Sequence, residues 1–178
     1  MPVESYSLSF AIFLLMLVFE RGLEIAIARQ HAQWARQQGG REFGKSLTRW
    51  IILFHVAWFG SFFFEAWVGR PKPPVPQWVP FIALGLLQAG RYWCILSLGK
   101  FWNTRIIVIP GASPVSPGPY RFLRHPNYWI VRLEIFIYPL LFGCWRTSLV
   151  GGLLNLWLVH RRIRQEEQAL HWASEQNH

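Results

Sequence analysis

Charge is scarce in this chain: 15% of its 178 residues are Asp, Glu, Lys or Arg, while 52% are apolar and 17% aromatic. So thin a polar complement argues against a soluble domain and points to a membrane protein. Cysteine is scarcer still. Cys94 and Cys144 both lie inside apolar runs, which argues against a disulfide framework and against a cysteine metal centre. The six histidines contain no H-x-x-x-H pair, so no metal site is expected. Internal repeats and low-complexity tracts are missing. The N-terminus lacks the basic, short-core, small-residue pattern of a cleaved signal, and the first helix is expected to stay.

What the chain does have is grease, tryptophan and positive charge. Eleven tryptophans suit aromatic belts at a bilayer interface. The net charge of +9 would suit nucleic acid or anionic lipid, and with this hydrophobicity lipid is the better partner. Apolar runs at 6–28, 50–68, 78–98, 126–145 and 147–160 are candidate spans, because a bilayer core needs about 20 helical residues. The last is short, so 126–160 reads as a helical hairpin turning near Cys144 to Arg146. Its second arm continues into the cytosol as RRIRQEEQALHWASEQ. The expectation is an all-α, polytopic protein with about five transmembrane helices, residues 1–178 forming one integral-membrane domain.

Five spans make the basic residues sort cleanly. Twelve fall on one side: Arg29, Arg36, Arg41, Lys45, Arg49, Lys100, Arg105, Arg121, Arg124, Arg161, Arg162 and Arg164. Arg70, Lys72 and Arg146 fall on the other. The bias predicts the N-terminus outside and the C-terminus in the cytosol of a plasma or inner membrane. RPKPPVPQ at 70–77 is a proline-rich outer linker. The longer inner segment FWNTRIIVIPGASPVSPGPY, 101–120, carries a β-prone RIIVI and is expected to fold over something.

Ionisable groups inside lipid cost several kcal/mol (roughly 3 or more) unless paired or hydrated, so Glu20, Arg21, Glu24, Arg91, Arg132 and Glu134 each need a reason. Glu20 and Glu24 are one turn apart and are expected to pair with Arg21 or with an arginine of a neighbouring span. Arg132 and Glu134, two apart, cannot face each other. Arg91 lies about 10 Å from the basic end of its helix. It is either a snorkelling structural cation or an anion hook in a wet pocket. At the inner end, GPYRFLRHPNYW at 118–129 precedes the hairpin and RRIRQEEQAL follows it. Arg162 with Glu166 and Arg164 with Glu167 have the spacing of ion pairs on a solvated helix. Hairpin geometry also brings both polar clusters to one side of the membrane.

As a set, GPYR, RHPNY and R-x-x-x-E-E, separated by two apolar arms, resemble the isoprenylcysteine carboxyl methyltransferase family of integral-membrane enzymes over about 85–170. In that family a methyl group passes from S-adenosyl-L-methionine, bound on the cytosolic side, to a lipid-like acceptor entering from the bilayer. The resemblance implies cofactor contacts for Tyr120, Arg124, His125, Pro126, Tyr128, Glu166 and Glu167. It implies acceptor arginines at Arg91 and Arg162. LGKFWNTRIIVIPG, RHPNYW and the glutamate of VRLEI further resemble a bacterial branch that methylates alkylpyrones and related phenolic lipids. The family pattern often continues with a tyrosine-containing tail after the glutamates, whereas here HWASEQNH follows, which argues against a prenylated-protein substrate.

Methyl transfer from a sulfonium is an in-line displacement that needs alignment and dryness more than acid–base groups. A carboxylate or an ionised pyrone enol wants only an arginine fork, which Arg91 and Arg162 can supply. A resorcinol hydroxyl wants a base, for which Glu134 or His125 is the candidate. Tyr128, Trp129 or Trp102 can face the sulfonium, or else anchor the interface. The acceptor expected is thus an alkylpyrone or alkylresorcinol. A prenylcysteine carboxylate or a phospholipid amine is the alternative, and a nonenzymatic membrane subunit with packed charges is the rival from another class.

Overall fold

A computed structural model describes residues 3–69, 71–112 and 117–175. Arg70 of the charge tally, residues 113–116 of the long inner segment and the tail 176–178 lie outside the described residues. Five helices dominate: α1 (Val3–Gln37), α2 (Lys45–Gly69), α3 (Val79–Leu98), α4 (Pro126–Leu141) and α5 (Trp145–Glu175). Two three-residue strands, β1 (Arg41–Phe43) and β2 (Ile106–Val108), pair antiparallel with Glu42 opposite Ile107. Single 3-10 turns occupy Gly99–Phe101 and Gly118–Arg121.

α2 and α3 are long and apolar enough to cross a membrane. Glu20, Arg21 and Glu24 interrupt the apolar run of α1. α4 has 16 residues, or about 24 Å at helical rise, short of a bilayer core of about 30 Å. α5, with 31 residues and a length of about 46 Å, is much longer than the arm 147–160 read from hydropathy. Its polar half extends the helix past the apolar one without a break. α1 likewise runs on to Gln37, because ARQHAQWARQ is rich in good helix formers that hydropathy does not register.

α4 lies between α3 and α5, and α2 packs on α5. The main core joins Phe10, Phe13 and Leu17 of α1 to Trp58 and Phe62 of α2, Leu84 of α3, and Ile135 and Tyr138 of α4. Large apolar side chains such as Leu15, Phe64, Leu86, Leu96 and Leu153 remain exposed on the outside, as lipid-facing helices require. Pro139 has no N–H to give the carbonyl of Ile135, four residues back. Trp58 Nε1 donates to that carbonyl instead, at 3.2 Å, so the helix keeps its proline without a buried orphan. The hairpin turns at Phe142–Cys144, close to the expected place. Glu65 caps the start of α5, accepting from the backbone N–H of Arg146 at 3.2 Å and of Thr147 at 2.7 Å.

At the opposite end of the bundle, β2 is the RIIVI segment and lies over α5. Its partner β1 was not legible: three residues show no alternation. Phe43 packs on Trp172 with ring centroids 5.2 Å apart, and Arg41 lies 5.2 Å from the same indole. This small ribbon ties the α1–α2 turn to the far half of α5.

Candidate functional site

Pro126 opens α4 at a position where its missing N–H is harmless, which leaves His125 as the residue before the helix with its ring free of any capping role. The ring faces α5: Nδ1 lies 3.9 Å from Glu166 Oε1 and Nε2 lies 3.6 Å from Glu167 Oε1. One turn along α4, the Tyr128 hydroxyl donates to Glu166 Oε2 and accepts from Arg162 Nε at 2.8 Å. Arg162 Nη2 donates to the backbone carbonyl of Thr104 at 2.5 Å. Segments 104, 125–128 and 162–167 therefore meet at one point. The expected Arg162–Glu166 ion pair is replaced by a relay through Tyr128. Arg162 is 8% exposed, and at that depth its guanidinium needs the carbonyl and the phenol that surround it.

The two glutamates are open. Their side chains are 31% and 51% exposed, and neither forms an ion pair with a lysine or arginine among the described residues. In a chain with twice as many basic as acidic residues, an adjacent carboxylate pair left without a guanidinium or ammonium is an attractive place for an outside cation.

Tyr120 belongs to the wall toward α3. Gly118 turns there with φ +59°, and a Cβ on it would lie 2.1 Å from Ser97 Oγ and 3.0 Å from Trp93 Nε1, so the GPYR turn sits directly on α3. Burial, then the neighbouring Cys94, pushes the Tyr120 hydroxyl above the usual phenol range and keeps it a proton donor. Pro126 is buried and Arg124 is exposed.

Arg91 and Glu134 are brought together in a different cluster. Arg91 Nη2 donates to Glu134 Oε2, and Arg91 Nε lies 3.1 Å from Glu24 Oε1 and 3.3 Å from Glu134 Oε1. Arg21 reaches Glu24 at 2.9 Å and Glu134 at 3.1 Å. Gln88 Nε2 donates to Glu134 Oε1 at 3.0 Å. Two guanidiniums face two carboxylates drawn from α1, α3 and α4. Only Arg91 Nη1 points toward the first cluster, 3.5 Å from Asn127 Oδ1. Glu134 has its oxygens taken by three donors, which does not suit a base. Glu20 accepts from the Tyr92 hydroxyl at 2.6 Å, and Arg132 lies over Trp129 of its own helix at 4.9 Å. Trp102 packs with Ala28 and Ile95.

Asn127 and the Thr104 carbonyl were missed. Asn127 stands inside RHPNY, where its neighbours drew the attention. A backbone carbonyl leaves no trace in a sequence. Gln88, three residues before Arg91 and hence on its face of α3, carried a readable signal.

Residues 79–172 match the isoprenylcysteine carboxyl methyltransferase (ICMT) family. The chain is 40% identical over 162 residues to the Bacillus subtilis (strain 168) "Uncharacterized protein YpbQ", covering 90% of this chain and 96% of that one. It is 24% identical over 151 residues to an "Uncharacterized protein" of Haemophilus influenzae, covering 84% and 88% respectively. The matched stretch takes in α3, the 3-10 turn of GPYR, α4 and nearly all of α5, so both clusters lie largely within it. The chain belongs to the isoprenylcysteine carboxyl methyltransferase family, a family of membrane methyltransferases.

Proposed function

We propose that this protein is an S-adenosyl-L-methionine-dependent O-methyltransferase whose acceptor is an alkyl-tailed enol or phenol of the alkylpyrone or alkylresorcinol type, held in the bilayer. The reading takes residues 1–178 as one membrane domain of five spans with the N-terminus outside and both the C-terminus and the site in the cytosol. The observation that carries it is the convergence of His125 and Tyr128 on Glu166 and Glu167, with the glutamates half-open and lacking a lysine or arginine ion pair among the described residues.

That arrangement fits the cofactor. Glu166 and Glu167 would accept hydrogen bonds from its ribose hydroxyls or amino group and offset its positive charge. Tyr128 offers an aromatic face, and Tyr120, Pro126 and His125 complete the wall. When bound, S-adenosyl-L-methionine supplies an electrophilic methyl group. Arg162 spends Nε on Tyr128 and Nη2 on Thr104, which leaves Nη1 to orient an acceptor oxyanion. Arg91 then acts as a positioning residue: it fixes Asn127, and through it the start of α4, while Glu134 and Glu24 hold its fork in place. His125 is the better base for an acceptor that arrives protonated, because Glu134 is enclosed.

Calorimetric titration of the detergent-solubilised protein with S-adenosylhomocysteine tests the cofactor. Binding that is weakened by Glu167→Gln is expected; no binding at all would leave the helix-packing subunit as the better account. Methyl-labelled cofactor, offered in parallel with an alkylpyrone, an alkylresorcinol, a prenylcysteine and phosphatidylethanolamine, then identifies the acceptor. Label found only on the prenylcysteine or the amine would overturn the acceptor class and leave the reaction type standing.

A further inference from the structure

A third polar feature borders the His125 cluster: it includes Arg105, the residue after the Thr104 whose carbonyl accepts from Arg162. Arg36, Glu42, Lys45, Thr48, Arg49, Ile52 and Arg105 line an open recess of about 580 Å³. Four cations surround one carboxylate. Glu42 is already shared between Arg36 at 2.8 Å and Arg105 at 2.9 Å, and its side chain is 8% exposed. Burial works to raise its pKa, but the hydrogen bonds and charges of Arg105 and Arg36 prevail and hold the carboxyl below the usual range. Lys45 and Arg49, one turn apart on the same face of α2, meet no carboxylate among the described residues. They also open a helix that has no acidic residue in its first turn, where the dipole already favours an anion.

The wall of the recess turns apolar away from these cations. Trp50 and Ile52 are exposed, and Val56, one turn beyond Ile52 on the same face, is exposed as well. A ligand that fits such a wall has a negative head and a hydrocarbon tail. We propose that the recess binds the phosphate of an anionic phospholipid headgroup, with Lys45 and Arg49 as its ligands, Arg36 and Arg105 at its rim, and an acyl chain running along Ile52 and Val56. Free phosphate shares the head chemistry but has no use for the apolar wall. None of the residues lining it has been given a role in methyl transfer, and its test reads lipid binding without turnover.

Native mass spectrometry of the full chain in detergent, titrated with phosphatidylglycerol and with phosphatidylcholine, reads the site directly. Phosphatidylglycerol is expected to bind preferentially. Two surface cations contribute about 1 kcal/mol each toward an anionic lipid, so Lys45→Gln with Arg49→Gln should weaken it about thirtyfold. Because both residues are exposed and form no ion pair among the described residues, the double variant should melt with the parent in lipid-free detergent. Should it not, Arg49→Glu alone makes the same change of two charges and gives the same reading. Equal affinity for the two lipids, an unchanged affinity in either variant, or displacement of the lipid by inorganic phosphate would each overturn the assignment.

Discussion

Two polar clusters are joined by the Arg91–Asn127 contact, yet they are built on opposite rules. The one around Arg91 is closed and neutral: Arg91 and Glu134 are 3% and 6% exposed, and two arginines meet two glutamates. The one around His125 is open and acidic, its glutamates facing water beside a histidine and a phenol. A buried charge that is matched by an opposite one holds helices in register. A half-exposed charge that has not is available to a ligand.

The sharpest way to break this contrast is to remove one member of the closed cluster. Arg91→Met leaves Arg21 alone to balance Glu24 and Glu134, one buried carboxylate too many, and is expected to destabilise the protein by about 3–5 kcal/mol, the range for an unpaired buried charge. The midpoint of thermal unfolding in detergent measures it. Glu134→Gln added to Arg91→Met should recover part of the loss, since Glu24 then keeps Arg21. A variant as stable as the parent would show that the network is not closed by these pairs.

A second test touches neither cluster. Trp58→Phe keeps an aromatic ring, smaller than the indole, and deletes the N–H that satisfies the Ile135 carbonyl beside Pro139. The expected loss is about 1–3 kcal/mol by the same unfolding measurement, with affinity for S-adenosylhomocysteine unchanged in the folded fraction. The open cluster should behave in reverse. Glu167→Gln, at an exposed position, should leave unfolding within about 0.5 kcal/mol of the parent. Its affinity for S-adenosylhomocysteine should fall about tenfold, as loss of one charged hydrogen bond implies. If Glu167→Gln unfolds the protein and Arg91→Met only weakens binding, the roles of the two clusters are exchanged.

The smallest effect belongs to Glu42. Its carboxyl is lowered from a reference value of 4.5, so its contribution to stability is present above that value and fades as pH falls through the folded one. Glu42→Gln should cost up to about 1 kcal/mol at neutral pH, because its arginine partners are half exposed. The difference from the parent should vanish in acid, which a pair of pH–melting curves detects.

Much of this was written in the sequence and some could not be. Apolar runs marked α2 and α3 because a span depends mainly on composition, and GPYR, RHPNY and R-x-x-x-E-E marked the open cluster because the hairpin must return its ends to one side. Helix ends were blurred: Gln37 and Glu175 lie in polar segments where hydropathy falls silent while helix propensity continues. Partner choice was the weakest point. Arg162 had Glu166 one turn away and took Tyr128 and a carbonyl from 58 residues back, a competition settled only in three dimensions. Glu134 had no partner on its own helix, and the two arginines it found come from α1 and α3.

The quartet of Arg21, Glu24, Arg91 and Glu134 also constrains how this protein can drift. Two positive and two negative members must disappear in opposite pairs, so a relative that has traded Arg91 for an apolar residue should have surrendered a glutamate at position 24 or 134 as well. Inheritance of the first helix and the third is thereby linked, although only the latter falls within the stretch that defines the family.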